Sequence, residues 1–174
     1  GTDAASSTGH PVILEGTSVQ LTVAEDSVST DMANQRTLNV VDNGPGSALM
    51  WILSSGAGSG QVTLSQTSGS VVTVSYAPSA NFNGSDTFTV LVQDGESKTD
   101  EILFNVNVQA VNDPPTLSAL ADQVLVAGGS VLMPFTLDEG GGSDEDVQTA
   151  SLTVVSSSAP AVLRGTLCGS LLGI

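Results

Sequence analysis

Residues 86–109 read "DTFTVLVQDGESKTDEILFNVNVQ", and their alternation decides the fold. Phe88, Val90 and Val92 recur at every second position, with Thr87 and Thr89 between them. Ile102, Phe104, Val106 and Val108 repeat the pattern, with Asn105, Asn107 and Gln109 facing the other way. A period of two belongs to a strand with one face buried and one face wetted. "QDGES" (93–97) separates the two runs, and its Asp-Gly pair is a turn signal. The stretch reads as two strands joined by a tight turn.

The same period extends outward along the chain. "SVQLTV" (18–23), "GQVTLS" (60–65) and "SVVTVSY" (70–76) all alternate. Turn-rich segments divide them: "DNGPG" (42–46), "SSGAGSG" (54–60), "TSGS" (67–70) and "NFNG" (81–84). Short strands spaced by roughly 8–12 residues, with Gly-rich turns, predict an all-β sandwich.

Charge narrows the function. The chain of 174 residues has a formal net charge of -15, and Arg36, Lys98 and Arg164 are its only fixed cations. A nucleic-acid ligand needs Lys and Arg against its phosphates, and an anionic membrane surface needs them too, so neither partner is expected. No apolar run is long enough to span a bilayer as a helix, and membrane insertion is not expected. Cys168 is the single cysteine, so no disulfide forms within the chain. An exported prokaryotic protein stabilised by a metal rather than by disulfides fits this composition. "GTDAASSTG" (1–9) reads as a flexible leader, and no basic segment with an apolar run opens the chain, so any signal peptide is expected to be gone already.

The acids gather in "LDEGGGSDEDV" (137–147), which holds Asp138, Glu139, Asp144, Glu145 and Asp146 around three glycines. Two carboxylates ~4 Å apart repel by about 1 kcal/mol even in water, and by more near a protein surface. Such a loop is either a solvated turn or a cation site.

The chain also repeats itself. "QLTVAEDS" (20–27) recurs as "QVLVAGGS" (123–130), with Pro11 before the first copy and Pro114 and Pro115 before the second. "VNDPP" (111–115) is then a junction, because successive prolines end strand pairing and stiffen a linker. The expected organisation is a leader at 1–9, a β-sandwich at 10–113, and a second, incomplete β-sandwich unit at 114–174 with an apolar tail. Gly128 and Gly129 of the second copy stand where the first has Glu25 and Asp26.

"YAPSANFNGSDTFTVLVQDG" (76–95), "ILFNVNVQAVNDPPT" (102–116) and "TVAEDS" (22–27) together resemble the bacterial cadherin-like tandem repeats of large surface adhesins. The resemblance covers residues 11–116. From 117 to 163 "ADQ", "FTLD" and "SLTVVSSS" resemble a related Ig-like repeat more loosely. It implies a Greek-key cadherin-like or Ig-like sandwich on the cell surface or outside the cell, with calcium bound at the junction between consecutive units. It carries the ligands onto Glu25 at the end of the first strand, Asn112 and Asp113 in the linker, and Asp138, Asp144 and Asp146 in the acidic loop. Asn81 and Asn83 take the place of a mid-domain acidic pair. Ala110 stands where a cadherin linker has a further Asp, and Asp42 is alone where a run of acids is usual.

Other residues carry less. Asn83-Gly84-Ser85 is a glycosylation sequon that also suits a turn, and His10 has no second His or paired Cys nearby. Trp51 lies in an apolar strand and reads as core; Tyr76, ending a strand, reads as packing at the rim; Cys168 reads as a small buried hydrophobe. With one imidazole and no nucleophile constellation, catalysis is not expected. The expected role is structural or adhesive, with partners that are adjacent repeats of a longer chain or other copies of itself. Strand-like material at "HPVILEG" (10–16) and "GTLCGSLLGI" (165–174) would allow copies to join head-to-tail by strand sharing. The alternative is a carbohydrate-binding module contacting surface polysaccharide through Trp51 or Tyr76.

Overall fold

A computed structural model describes residues 9–44, 48–121, 124, 134–138 and 140–145. The chain divides into two units, Gly1–Val111 and Asn112–Ile174. In the first, β1 (Val12–Ile13), β3 (Gln35–Val41), β6 (Val71–Pro78) and β5 (Gly60–Leu64) form one sheet in that order. β2 (Ser18–Ala24), β8 (Thr99–Gln109), β7 (Gly84–Gln93) and β4 (Met50–Ser55) form the other. The chain crosses between sheets after β1, β2, β3, β4 and β6, which is Greek-key connectivity. The all-β sandwich read from the alternation is the fold.

The opening stretch forms the hairpin it predicts. β7 and β8 pair antiparallel from Gly84↔Val108 to Gln93↔Thr99, with Phe88 directly opposite Phe104. Those two rings stack with centroids 4.5 Å apart, and Tyr76 of the facing sheet lies 6.0 Å from Phe88. Stacked rings add about 0.5–1.5 kcal/mol per pair beyond the area they bury. Around them Leu38, Val72, Val74, Val90, Ile102 and Trp51 close the core. Trp51 is 2% exposed, its indole N–H donating to the Gly69 carbonyl at 2.8 Å, so it is core as expected.

Tyr76 differs from its reading as rim packing: it is fully buried, at 0% exposure. It continues the inward register of Val72 and Val74 along β6, and its hydroxyl has a partner inside, Asp86 at 2.9 Å. A phenol that finds an acceptor can be buried whole.

"HPVILEG" is also placed otherwise than expected. Val12 and Ile13 pair with Val41 and Val40 of β3, and Ile13 enters the core, so the segment completes its own sheet. Gly16, at φ +93°, then turns the chain across to the second sheet, where β2 runs parallel to β8 from Ser18↔Leu103 to Ala24↔Gln109.

In the second unit β9 (Thr116–Leu117) pairs antiparallel with β10 (Leu137–Asp138), and Ser118 and Thr136 exchange two further hydrogen bonds of 2.9 Å. Asp146, "SLTVVSSS", Arg164, Cys168 and the apolar tail lie outside the described residues. No helix among the described residues is long and apolar enough to cross a membrane.

Candidate metal centre

The carboxylates singled out by the sequence fall into two sets, one in each unit. In the first unit Glu25 follows the last residue of β2, and its N–H donates to the Gln109 carbonyl, extending the β2–β8 ladder by one bond of 3.0 Å. Its side chain, 1% exposed, accepts the Val111 N–H at 2.6 Å and the Asn83 side-chain amide at 3.3 Å. One carboxylate therefore ties the end of β2 to the loop before β7 and to the exit of β8. Asn81, in the same loop, is exposed and takes φ 59°, the left-handed region that Asn tolerates.

In the second unit the linker acid meets the acidic loop. The Asp113 N–H donates to Glu145 Oε1 at 3.0 Å, and Asp113 Oδ2 accepts the Gly141 N–H at 3.3 Å. Asp138 Oδ1 accepts the Gly140 N–H at 3.1 Å. Gly140, at φ +118°, packs against the linker backbone at Asp113. A Cβ there would lie 2.9 Å from Asp113 Cβ, the Asp113 carbonyl oxygen and Glu145 Cγ. Only glycine supplies both that backbone angle and that space.

Asp144 and Glu145 crowd each other. The Asp113 N–H pulls the Glu145 pKa down, but burial, a hydrogen bond from the protonated Glu145 to Asp144 and the charge of Asp144 together push it above the ordinary carboxylate value. Within the second unit Asp113 is thus tied to Glu145, Glu145 is coupled to Asp144, and Asp138 holds the Gly140 N–H at the entry of the same loop. Asn112 is exposed beside them, and Asp146 lies outside the described residues. Glu145, which the resemblance does not include, accepts the linker N–H. Nothing in "SDEDV" ranks one acid over another, because a loop has no period to say which side chain turns inward.

The donors are oxygens alone. Carboxylates with nearby backbone carbonyls, and neither His nor Cys among them, suit a hard cation such as calcium rather than zinc or copper.

A further buried acid has a different role. Asp86, 8% exposed, accepts the N–H groups of Gly58 and Ser59 at 2.9 Å, that of Thr87 at 2.8 Å, and the Tyr76 hydroxyl at 2.9 Å. Burial pushes its pKa up, but the four donors outweigh burial and hold it below the usual value. Burial and the neighbouring carboxylate raise the Tyr76 hydroxyl well above its ordinary 10.0. Four donors saturate this carboxylate, so it braces the loop before β5 and offers nothing to a ligand.

A family model described as "Bacterial Ig domain" matches residues 8–107. The chain belongs to the bacterial Ig domain family. Domains of this family are usually extracellular or displayed on the cell surface, and typically are not enzymes. A search of curated proteins found no match.

Among solved structures, this bacterial Ig domain protein is similar to the extracellular cadherin domains 1–4 of protocadherin gamma B7. That likeness has 20% identity over 74% of this chain and 32% of the other, with a TM-score of 0.49. Human CDH23 EC21-23 matches at 18% identity over 76% of this chain and 45% of the other, with a TM-score of 0.45. The endo-fucoidan hydrolase MfFcnA4 from glycoside hydrolase family 107 matches at 21% identity over 60% of this chain, with a TM-score of 0.46. The chain spans only 14% of that enzyme's length.

Proposed function

We propose that this protein is an extracellular structural or adhesive element whose second unit binds calcium through Asp113, Asp138, Asp144 and Glu145. The observation that carries the reading is the convergence at Gly140, where the linker acid and the acidic loop meet too closely for any side chain but hydrogen. A divalent ion there offsets the mutual repulsion of these acids. Asp113 follows the unit boundary by two positions, so an ion that joins it to residues 138–145 fixes the start of the second unit. Calcium in this role stiffens a linker and does no chemistry. At millimolar affinity a ~10-fold excess adds only about 1.4 kcal/mol, so the gain is geometric rather than a folding switch.

Of the other residues that the resemblance implies, Asn112 and Asp146 belong to the second unit and Glu25, Asn81 and Asn83 to the first, and single substitutions test each separately. The carbohydrate-binding alternative has lost its aromatic candidates, since Trp51 and Tyr76 are both core. Head-to-tail strand sharing has likewise lost one of its two donor segments to β1.

Calorimetric titration of the full chain with calcium tests the reading. Saturable binding, weakened ~10-fold or more by Asp113→Asn or Glu145→Gln, is expected, since each removes one charged ligand. Absence of heat at about 10 mM calcium, beyond the range of extracellular modules, would refute it.

A further inference from the structure

In a chain of net charge -15, residues 43–85 contain no Asp, Glu, Lys or Arg. β4, β5 and β6 all lie within this neutral stretch. β5 ends one sheet and β4 ends the other, and the segment after β5 bonds to β4 through Trp51 N–H to Thr67 O and Gly69 N–H to Leu49 O. One flank of the sandwich is thus edged on both sheets by uncharged strands.

The backbone of β5 is turned outward there. Gly60 sits opposite Pro78, which has no N–H, while Ser59 and Ser65 bond to the strand opposite them. The ladder to β6 therefore falls on Gln61 and Thr63, and Gly60, Val62 and Leu64 direct their N–H and C=O groups away from the sheet. Among the described residues no strand pairs with that side.

The other three edges are guarded. β1 has only two residues, and the Glu15 carboxylate caps the Asn39 N–H beyond it at 2.9 Å. On β2, the Gln20 carbonyl accepts Arg36 and the Ala24 carbonyl accepts both the N–H and the hydroxyl of Ser27. β4 is broken by a register shift between Leu53 and Ser55. β5, "GQVTL", carries no charge, proline or bulge, the devices that normally keep an edge from pairing.

We propose that β5 is a self-association edge, to which a second copy of this chain adds its own β5 antiparallel across a two-fold axis through Val62. Gly60 then lies opposite Leu64 of the second copy, and the outward N–H and C=O groups of both strands satisfy one another. Val62 and Leu64 pack against the core of their own unit, while Gln61 and Thr63 are exposed, so the joined sheet meets apolar to apolar and polar to polar. Charge selects the occupant. Two copies repel wherever their acids face each other; the strands of this flank carry none, and the acid nearest β5, Asp86, is buried and held by four donors. A cationic partner would be drawn to the acidic remainder instead. The strip is short, so a single contact is weak and gains when copies are arrayed side by side.

The test is sedimentation velocity of the full chain in chelator, which keeps it separate from the calcium site. The expected result is a dimer that grows in over about 10 μM to 1 mM, as suits a small interface. It strengthens with salt, because salt screens the acids, and the Gly60, Val62 and Leu64 amides exchange more slowly as concentration rises. Val62→Pro removes an outward N–H without removing a bond to β6. It is expected to weaken the dimer at least ~10-fold while leaving the Trp51-monitored unfolding midpoint in place. Should that variant lower the midpoint, Gln61→Asp with Thr63→Asp sets like charges opposite one another at exposed positions and reads the same loss. A monomer at every concentration, a dimer that weakens with salt, or one indifferent to both variants would overturn the proposal.

Discussion

Replacing Asp86 with Asn puts the buried brace to a quantitative test. Oδ1 accepts Gly58 and Thr87 N–H groups, and Oδ2 accepts Ser59 N–H and the Tyr76 hydroxyl. In Asn one of these oxygens becomes an NH₂. If the amide oxygen keeps the Gly58 and Thr87 bonds, the NH₂ faces Ser59 N–H and Tyr76. The phenol adapts, because its oxygen can accept and its proton can turn to the Ser59 carbonyl 3.3 Å away. The Ser59 N–H cannot adapt and is left without an acceptor, at about 1–3 kcal/mol. The surviving bonds also lose their charge assistance, which brings the expected cost to about 3–4 kcal/mol. Tyr76→Phe removes one charge-assisted bond from a carboxylate that keeps three others, for about 1.5 kcal/mol. Because both act on one network, the double variant should fall short of the sum by about 1 kcal/mol. Urea unfolding followed by Trp51 fluorescence is the assay, since this is the only Trp and it is 2% exposed. With a slope near 1.5 kcal/mol/M, Asp86→Asn should lower the midpoint by about 2 M. The gap to wild type should narrow in strong acid. A carboxyl held below its ordinary 3.8 stabilises the fold above that value and loses the contribution as pH falls through the folded pKa. A midpoint shift under about 0.5 M, or fully additive effects, would refute the reasoning.

Gly60→Ala should cost about 3 kcal/mol or more, because its Cβ would clash with the Cε2–Cζ edge and hydroxyl of Tyr76, and the same Trp51 unfolding curves measure it. At alkaline pH wild-type stability should hold up to the ordinary phenol value of 10.0 and decline above it, as the unfolded chain sheds the Tyr76 proton that the fold retains. Tyr76→Phe should lack that alkaline slope. Gly140→Ala should weaken calcium binding in titration while leaving the Trp51 transition where it was, since the nearest atoms it clashes with belong to Asp113 and Glu145 of the second unit, whereas Trp51 lies in the core of the first.

Wherever one face is wet, the sandwich was legible. Alternation in 86–109 specifies both strands of a hairpin and their inward residues, because a shift of one position would turn Phe88 and Phe104 to solvent. The same logic reaches Tyr76, which shares its register with Val72 and Val74; its position at the end of the run obscured this. Turn chemistry was legible only as location. "QDGES" does hold the turn, with Asp94 accepting the Glu96 and Lys98 N–H groups at 2.8 Å, but Ser97 rather than Gly95 takes the positive φ. The parallel pairing of β2 with β8 was not legible, since pairing partners far apart in sequence leave no local pattern. In the second unit, Asp113, Asp138 and Asp144 were singled out through the resemblance. Glu145 was not singled out, because the close packing of Gly140 on Asp113 and Glu145 is a tertiary feature that composition does not encode.

The parallel alignment of β2 and β8 has a consequence under load. β2 is entered at its N-terminal end and β8 is left at its C-terminal end, and because the strands run in the same direction those two points lie at opposite ends of one ladder. Tension along the chain therefore slides the strands past one another, and the bonds from Ser18↔Leu103 to Ala24↔Gln109 share the strain and must break together. An antiparallel pair pulled from neighbouring ends would open one bond at a time. A tether built this way resists pulling in proportion to the length of that ladder.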